Sequence, residues 1–217
     1  RGKSYEQLPE ELRDRFDGYQ IETVIHQNCD TTEISKLVRR FNNHTAMNTA
    51  QKAFTYSDAF AGEIRNITRN RFFLDIYTCS RNDRKNGTIE RVIGETALLC
   101  IHPDLYRKDT KINFKALNEN ASLSDFDNLN DLLTRLTVSV GTTTEIRGLF
   151  NSKHAHIFIT AFNRFLEMGH EAKEYGKFLE WFVNGGNESE INGTTWETLN
   201  ENKATRDTNI VRGKIDY

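Results

Sequence analysis

The sequence predicts a mainly α-helical protein: a multi-helix bundle with at most one or two short strands left over from a truncated α+β core. Three observations carry this reading. Apolar residues recur at helical spacing through most of the chain. Two prolines and 13 glycines in 217 residues are few enough to permit long helical stretches. Only residues 21–25, Ile-Glu-Thr-Val-Ile, are β-rich and partly alternating, and one strand alone does not make a sheet.

The elements follow in order. Leu8-Pro9-Glu10-Glu11-Leu12 predicts a short helix, with proline near its first turn and acids after it. Residues 21–25 are the best strand in the chain. Asp30-Thr31-Thr32-Glu33 supplies N-cap chemistry for a helix whose Ile34, Leu37, Val38 and Phe41 fall on one face. Asn48 is expected to cap a longer helix, with Ala50, Ala53, Phe54, Phe60, Ala61 and Ile64 in one stripe. A short helix at 71–78 and a polar loop from Ser80 to Gly87 come next.

Thr88 is expected to cap a helix that turns Ile89, Val92, Ile93, Ala97 and Cys100 inward and ends at Pro103. Residues 104–122 are polar and predict a short helix between loops. From Ser124, residues Phe126, Leu129, Leu133, Leu136 and Val140 repeat in alternating steps of three and four, two heptads of an a/d seam that Gly141 ends. That seam is either an internal packing face or an interface for assembly. Ser152 is expected to cap an apolar helix that Gly169 breaks. Tyr175, Phe178, Leu179 and Phe182 mark the next helix, which ends at Gly185-Gly186. Residues 187–195 read as a loop, and a last helix covers Arg206 to Tyr217.

The length suits one domain or two small ones with a real core. A net charge of −2 with 28% charged residues lacks the strong basic bias of a nucleic-acid coat, but leaves room for a local patch. No run of 18 apolar residues exists, so no membrane span or membrane partner is expected. No signal peptide is recognisable, and the start at Arg1 reads as a piece of a longer protein. Cys29, Cys79 and Cys100, odd in number and widely spaced, predict reduced thiols in a cytoplasmic setting.

Few residues carry recognisable chemistry. Glu167-x-x-His170 with Glu174 puts three ligand-type groups on one helical face, but the second copy a di-metal bundle needs is absent. His154 and His156, two apart on a helix, point roughly 200° away from each other and cannot share a ligand. No metal and no resident cofactor are expected, and no P-loop or hydrolase elbow is present. Between residues 65 and 91, Arg65, Arg69, Arg71, Arg81, Arg84, Lys85 and Arg91 face only Asp75, Asp83 and Glu90. This excess fits either phosphate contact on DNA or an ordinary solubilising surface. The Arg40-Phe41-Asn42-Asn43 corner is unusually polar for a helix end. One asparagine suits a left-handed C-cap, and the rest of the corner can close the turn or face a ligand.

The stretch Val38-Arg39-Arg40-Phe41-Asn42-Asn43-His44-Thr45-Ala46-Met47-Asn48-Thr49-Ala50-Gln51-Lys52 resembles the "Arg-Leu-Asn … Leu-Asn/Ser … Gln/Glu" segment of the GmrSD-type restriction family. That family is a widespread bacterial domain with a ParB/sulfiredoxin-like core. Leu8 to Leu12, Tyr19, Phe72-Phe73, the helix from Thr88 and Thr205 to Val211 fall in the family's order. Phe41 replaces the usual leucine. The hallmark Asp-Gly-Gln-Gln-Arg motif is missing, and Asp17-Gly18-Tyr19-Gln20 only partly imitates it.

The resemblance implies a helical portion following that motif, in a phage-defence protein that binds nucleotide and acts on foreign DNA. It implies residues 1–48 as the end of the ParB-like core and 49–217 as a helical subdomain. It places Arg40, Asn42, Asn43, Gln51 and Lys52 at the edge of a nucleotide site completed by a missing N-terminal core. Nucleotide is then a cofactor of the parent, and this portion is not itself catalytic.

Overall fold

In the computed structural model, which describes residues 4–41, 47–201 and 205–217, the chain is helical as expected. It divides into a small unit ending at Asp30 and a large one from Thr31 to Tyr217. Among the described residues there is no strand. The β-type pairings there are isolated bridges, Thr78 with Asn151 and Ile191 with Thr194.

The small unit carries α1 (Glu10–Asp17), followed by an irregular segment. Tyr5 packs on Phe16 with ring centroids 5.7 Å apart, and its hydroxyl donates to Asp17 at 2.5 Å. Residues 21–25, the best strand of the sequence reading, form no strand. Ile21, Val24 and Ile25 are each more than 70% exposed. Their β-branched composition favours extended backbone, but without a neighbouring edge no ladder forms.

In the large unit α2 (Thr31–Phe41) forms where the cap predicts it, but it packs differently. Ile34, Val38 and Phe41 are exposed, Leu37 is half-buried, and Ser35 is its buried residue. Arg39, one turn after Ser35 on the same face, reaches across to Thr55 and Asp58. Its polar Ser35–Arg39 side thus makes contact with the 55–58 segment.

The long helix expected from Asn48 is three pieces. These are α3 (Thr49–Phe54), a 3₁₀ turn at Asp58–Phe60 and α4 (Ala61–Ile67). Asn48 does cap α3, accepting from the Gln51 amide at 2.9 Å while the Gln51 side chain accepts from the Asn48 amide at 3.2 Å. The break falls at Ser57-Asp58, where Asp58 has φ +41° and Ser57 donates to the Phe54 carbonyl. Side-chain hydrogen bonds of this kind compete with helix continuation.

Phe72–Ile76 is a π-helical turn, α5 (Arg81–Lys85) occupies the expected loop, and α6 (Thr88–Ile101) is the axle of the fold. Gly87, with φ +79°, stands at the N-cap position in place of Thr88. Eleven of the fourteen α6 residues are buried. Around α6 pack α3, α4, α5, α7 (Thr110–Asn120), α8 (Leu123–Ser139) and α10 (Ala155–Glu167). The Phe126–Val140 seam on α8 is buried throughout within the chain's own core, so it offers no face for assembly.

The remaining helices are α9 (Thr144–Leu149), α11 (Ala172–Val183), α12 (Trp196–Glu201) and α13 (Thr208–Asp216). Helix α12 follows the expected 187–195 loop. Gly176 lets α11 lie directly on the end of α8, since a β-carbon there would come within 2.1 Å of the Ser139 carbonyl oxygen. No helix among the described residues is long and apolar enough to cross a membrane. The three cysteines are unpaired thiols.

Candidate anion-binding site

Helix α3 organises the best candidate site. Its C-terminal end carries Phe54 and leads into Tyr56, both half-buried aromatic rings. The Arg39 guanidinium from α2 lies 4.6 Å from the Tyr56 ring centroid. From α7, the Lys111 and Lys115 ammonium groups lie 4.9 and 5.4 Å from the same ring. Arg65 from α4 stands 5.3 Å over Phe54. Four cations from three helices thus converge on two neighbouring rings.

Their local sequence explains the convergence. Lys111 and Lys115 are i and i+4 on α7, so they stand one above the other on its exposed face. Phe114, between them in sequence, turns inward and meets Phe54 edge-on at 6.1 Å. That contact fixes the rotation of α7 about its axis and so points both lysines at Tyr56.

The face is electrostatically unbalanced. Asp58 is the carboxylate it contains, 3.4 Å from Arg39. Lys111, Lys115 and Arg65 are exposed and form no ion pair among the described residues. Like charges gathered on an exposed face repel one another, and a bound anion relieves that repulsion. The chemistry offered is reversible binding of a multiply charged anion.

The expected site residues distribute unevenly about this face. Arg40 is exposed at the end of α2, and Lys52 is exposed on α3. Asn42 and Asn43 lie outside the described residues. Gln51 serves the fold: beyond its capping box with Asn48 it donates to the Lys85 carbonyl at 3.4 Å. Asn48 donates to the Asn86 carbonyl at 2.9 Å. These bonds fasten the start of α3 to the end of α5, which brings the exposed Arg84 and Lys85 alongside. Arg81 is exposed at the start of α5.

The expected basic 65–91 surface is not one surface. Arg65 belongs to the Tyr56 face. Arg69 and Arg71 line a different cleft of about 440 Å³ against α8, where Asn70 donates to Asn130 and Thr134. Arg71 is also paired with Asp75 at 2.9 Å. Arg91 is buried, with one guanidinium nitrogen 2.7 Å from Glu95 and the other donating to the Ser152 carbonyl at 2.6 Å. It cannot reach a nucleic acid. A charged residue on the inward face of an apolar helix is a packing group, and α6 is inward on nearly every side.

Sequence reasoning missed Arg39, Tyr56, Lys111 and Lys115, because nothing local ties residue 39 to residue 115. It also missed an interior polar cluster. Glu95 is fully buried and binds Arg91, Arg206 and the Thr110 hydroxyl. His156 is buried nearby, stacked 6.3 Å from Tyr106, with neither ring nitrogen hydrogen-bonded among the described residues. Burial foremost, then the charges of Arg91 and Arg206, holds its pKa well below the ordinary histidine value. Glu95 amid the apolar run of α6 was the available signal.

The Glu167, His170 and Glu174 set does not assemble. Glu167 accepts from Asn163, His170 stacks on Phe165 at 4.5 Å, and Glu174 caps its own helix at Glu171. No family model, curated protein or solved structure matches the chain.

Proposed function

We propose that this chain is the helical part of a GmrSD-like restriction protein and that its α3 face binds phosphate groups for the parent. The parent would use nucleotide and act on foreign DNA in the bacterial cytoplasm. In this reading Arg40, Asn42, Asn43 and Lys52 edge a nucleotide site completed by an N-terminal core, and the cations about Tyr56 continue that edge. The observation that carries the reading is the convergence of Arg39, Lys111, Lys115 and Arg65 on two adjacent rings, with Asp58 as counter-charge. The resemblance supplies the family, and the unbalanced charge supplies a reason for phosphate.

One observation favours DNA over a lone nucleotide as the ligand of this face. Arg84 and Lys85 stand at the other end of α3, tethered there by Gln51 and Asn48. A six-residue helix is about 9 Å long, so the cations extend over more than one phosphate spacing. A backbone tracked along α3 would meet both groups.

The test is binding of a fluorescently labelled duplex at low salt, followed by anisotropy. Lys111→Glu with Lys115→Glu is expected to weaken binding at least tenfold while leaving the thermal melt in place, because both side chains are exposed. Equal binding by the variant would reject the face. The chain alone is expected not to turn over nucleotide. Turnover that Arg40→Ala abolishes would show that the active core lies here instead.

A further inference from the structure

A second site lies far from α3 in sequence and has no part in the reading above. Helices α10, α11 and α13, with Trp196 of α12, line a half-open cavity of about 360 Å³, within the range of small-molecule pockets. Its walls are aromatic: Phe158, Phe178, Phe182, Trp196 and Tyr217 all line it. Lys214 lines it too, and is only 3% exposed.

Lys214 is an unusual group for such a place. Among the described residues its ammonium makes one hydrogen bond, to Asn200 at 2.5 Å, and lies 5.0 Å from the Trp196 ring centroid. No carboxylate pairs with it among the described residues. An ammonium has three donors, so two remain to be filled. Isolated buried charges are costly, and proteins pair them or hold them for a ligand. Burial draws its pKa down to about 8, so the cation persists at neutral pH. The neighbouring His154 is held neutral, with its pKa pushed down to about 4 mainly by its own burial and then by Lys214. At the rim, Arg164 is already neutralised by Asp216 at 2.5 Å. Among the described residues Lys214 is therefore the one lining cation without a carboxylate partner, and it stands beside the aromatic wall at Trp196.

We propose that this cavity binds an aromatic monocarboxylate, its ring against Phe158, Phe178, Phe182 and Trp196 and its carboxylate on the Lys214 ammonium. A neutral aromatic would leave Lys214 unpaired, and a dianion would bring a second charge that no free cation there balances. The one carboxylate fits the one ammonium.

Titration of the purified chain with 2-naphthoate, read by calorimetry, tests this. Saturable binding is expected, with 2-naphthamide binding at least tenfold more weakly. Lys214→Met keeps the length and apolar character of the side chain and is expected to abolish the preference for the acid over the amide. Ala161→Phe narrows the cavity, leaves Lys214 in place, and is expected to weaken both ligands. Equal affinity for acid and amide in the native chain would overturn the proposal, as would an acid preference that survives Lys214→Met. Should Lys214→Met fail to fold, the native comparison and Ala161→Phe decide alone. A result in which Ala161→Phe leaves acid binding untouched also counts against it.

Discussion

Replacing Glu95 with alanine is expected to destabilise the protein by about 3–5 kcal/mol, the cost of breaking a buried ion pair by removing one partner. Glu95 is fully buried, and its two oxygens serve Arg91 at 2.7 Å, Thr110 at 3.1 Å and Arg206. Without it, among the described residues Arg91 keeps the Ser152 carbonyl and Arg206 keeps Thr110. The buried Arg91, and the part-exposed Arg206 beside it, are then left with no carboxylate. The loss is a large fraction of the roughly 5–15 kcal/mol that holds a typical domain together. The cluster also links distant parts of the chain, since Arg91 and Glu95 lie on α6, Thr110 begins α7 and Arg206 precedes α13. Glu95→Gln keeps the shape and one acceptor but loses the charge, and is expected to cost less. Urea denaturation of the three proteins checks the order. A shift smaller than about 1 kcal/mol for Glu95→Ala would mean that the cluster relaxes into solvent.

The second large effect is with pH. His156 is buried with neither nitrogen hydrogen-bonded among the described residues, and burial holds its pKa well below the ordinary histidine value. His154 is pushed down to about 4. In the unfolded chain both titrate near 6.5. Between the folded and unfolded values, the unfolded state holds protons that the folded state does not. Stability is therefore fully present above about pH 6.5 and is lost as pH falls from there towards the folded values. A single group of this kind removes about 2 kcal/mol between pH 7 and pH 5. Most ordinary carboxylates remain ionised through that window, so the slope there reports the histidines. His156→Leu removes the group with the larger burial and is expected to flatten the slope by about one proton's worth. Denaturant midpoints at pH 7, 6 and 5 give the measurement. An unchanged slope in His156→Leu would show that the imidazole finds a proton partner in the folded state.

The parts of this fold that the sequence makes legible are those where one apolar stripe faces one core. Helix α8 is the clearest: its alternating steps of three and four place Phe126, Leu129, Leu133, Leu136 and Val140 inside, as the structure has them. Helices α10 and α11 are legible for the same reason. Failures begin where side chains act on the backbone. The Ser57-Asp58 break interrupts an intact apolar stripe, so periodicity alone runs through it. Residues 21–25 fail differently, because strand propensity states a fit to a sheet and no sheet is there. Helix α2 shows that three of four positions in an i, i+3, i+4, i+7 pattern can stay exposed while an arginine on another face reaches a neighbouring segment.

The sites were less legible than the fold. Arg91 and Arg71 look alike in sequence, yet one is buried on Glu95 and the other lies on the surface beside Asp75. The Tyr56 face is assembled from residues 39, 54, 56, 65, 111 and 115, and Lys214 meets Trp196 only through the packing of α12 and α13. Charge excess within a window of sequence identifies neither. Both depend on which helices become neighbours, and that is set by the apolar faces behind them.

The most direct test of the phosphate-binding account is the salt dependence of duplex binding. Binding is measured from low to physiological salt for the native chain and for Lys111→Glu with Lys115→Glu. Each phosphate neutralised releases counterions, giving a slope of about −0.9 per contact in log affinity against log salt. With Arg39, Arg65, Lys111 and Lys115 engaged and Arg84 and Lys85 reached along α3, the account predicts a slope of about −5 for the native chain, shallower by about two in the variant. A native slope near zero, or one that the two substitutions leave unchanged, would contradict it.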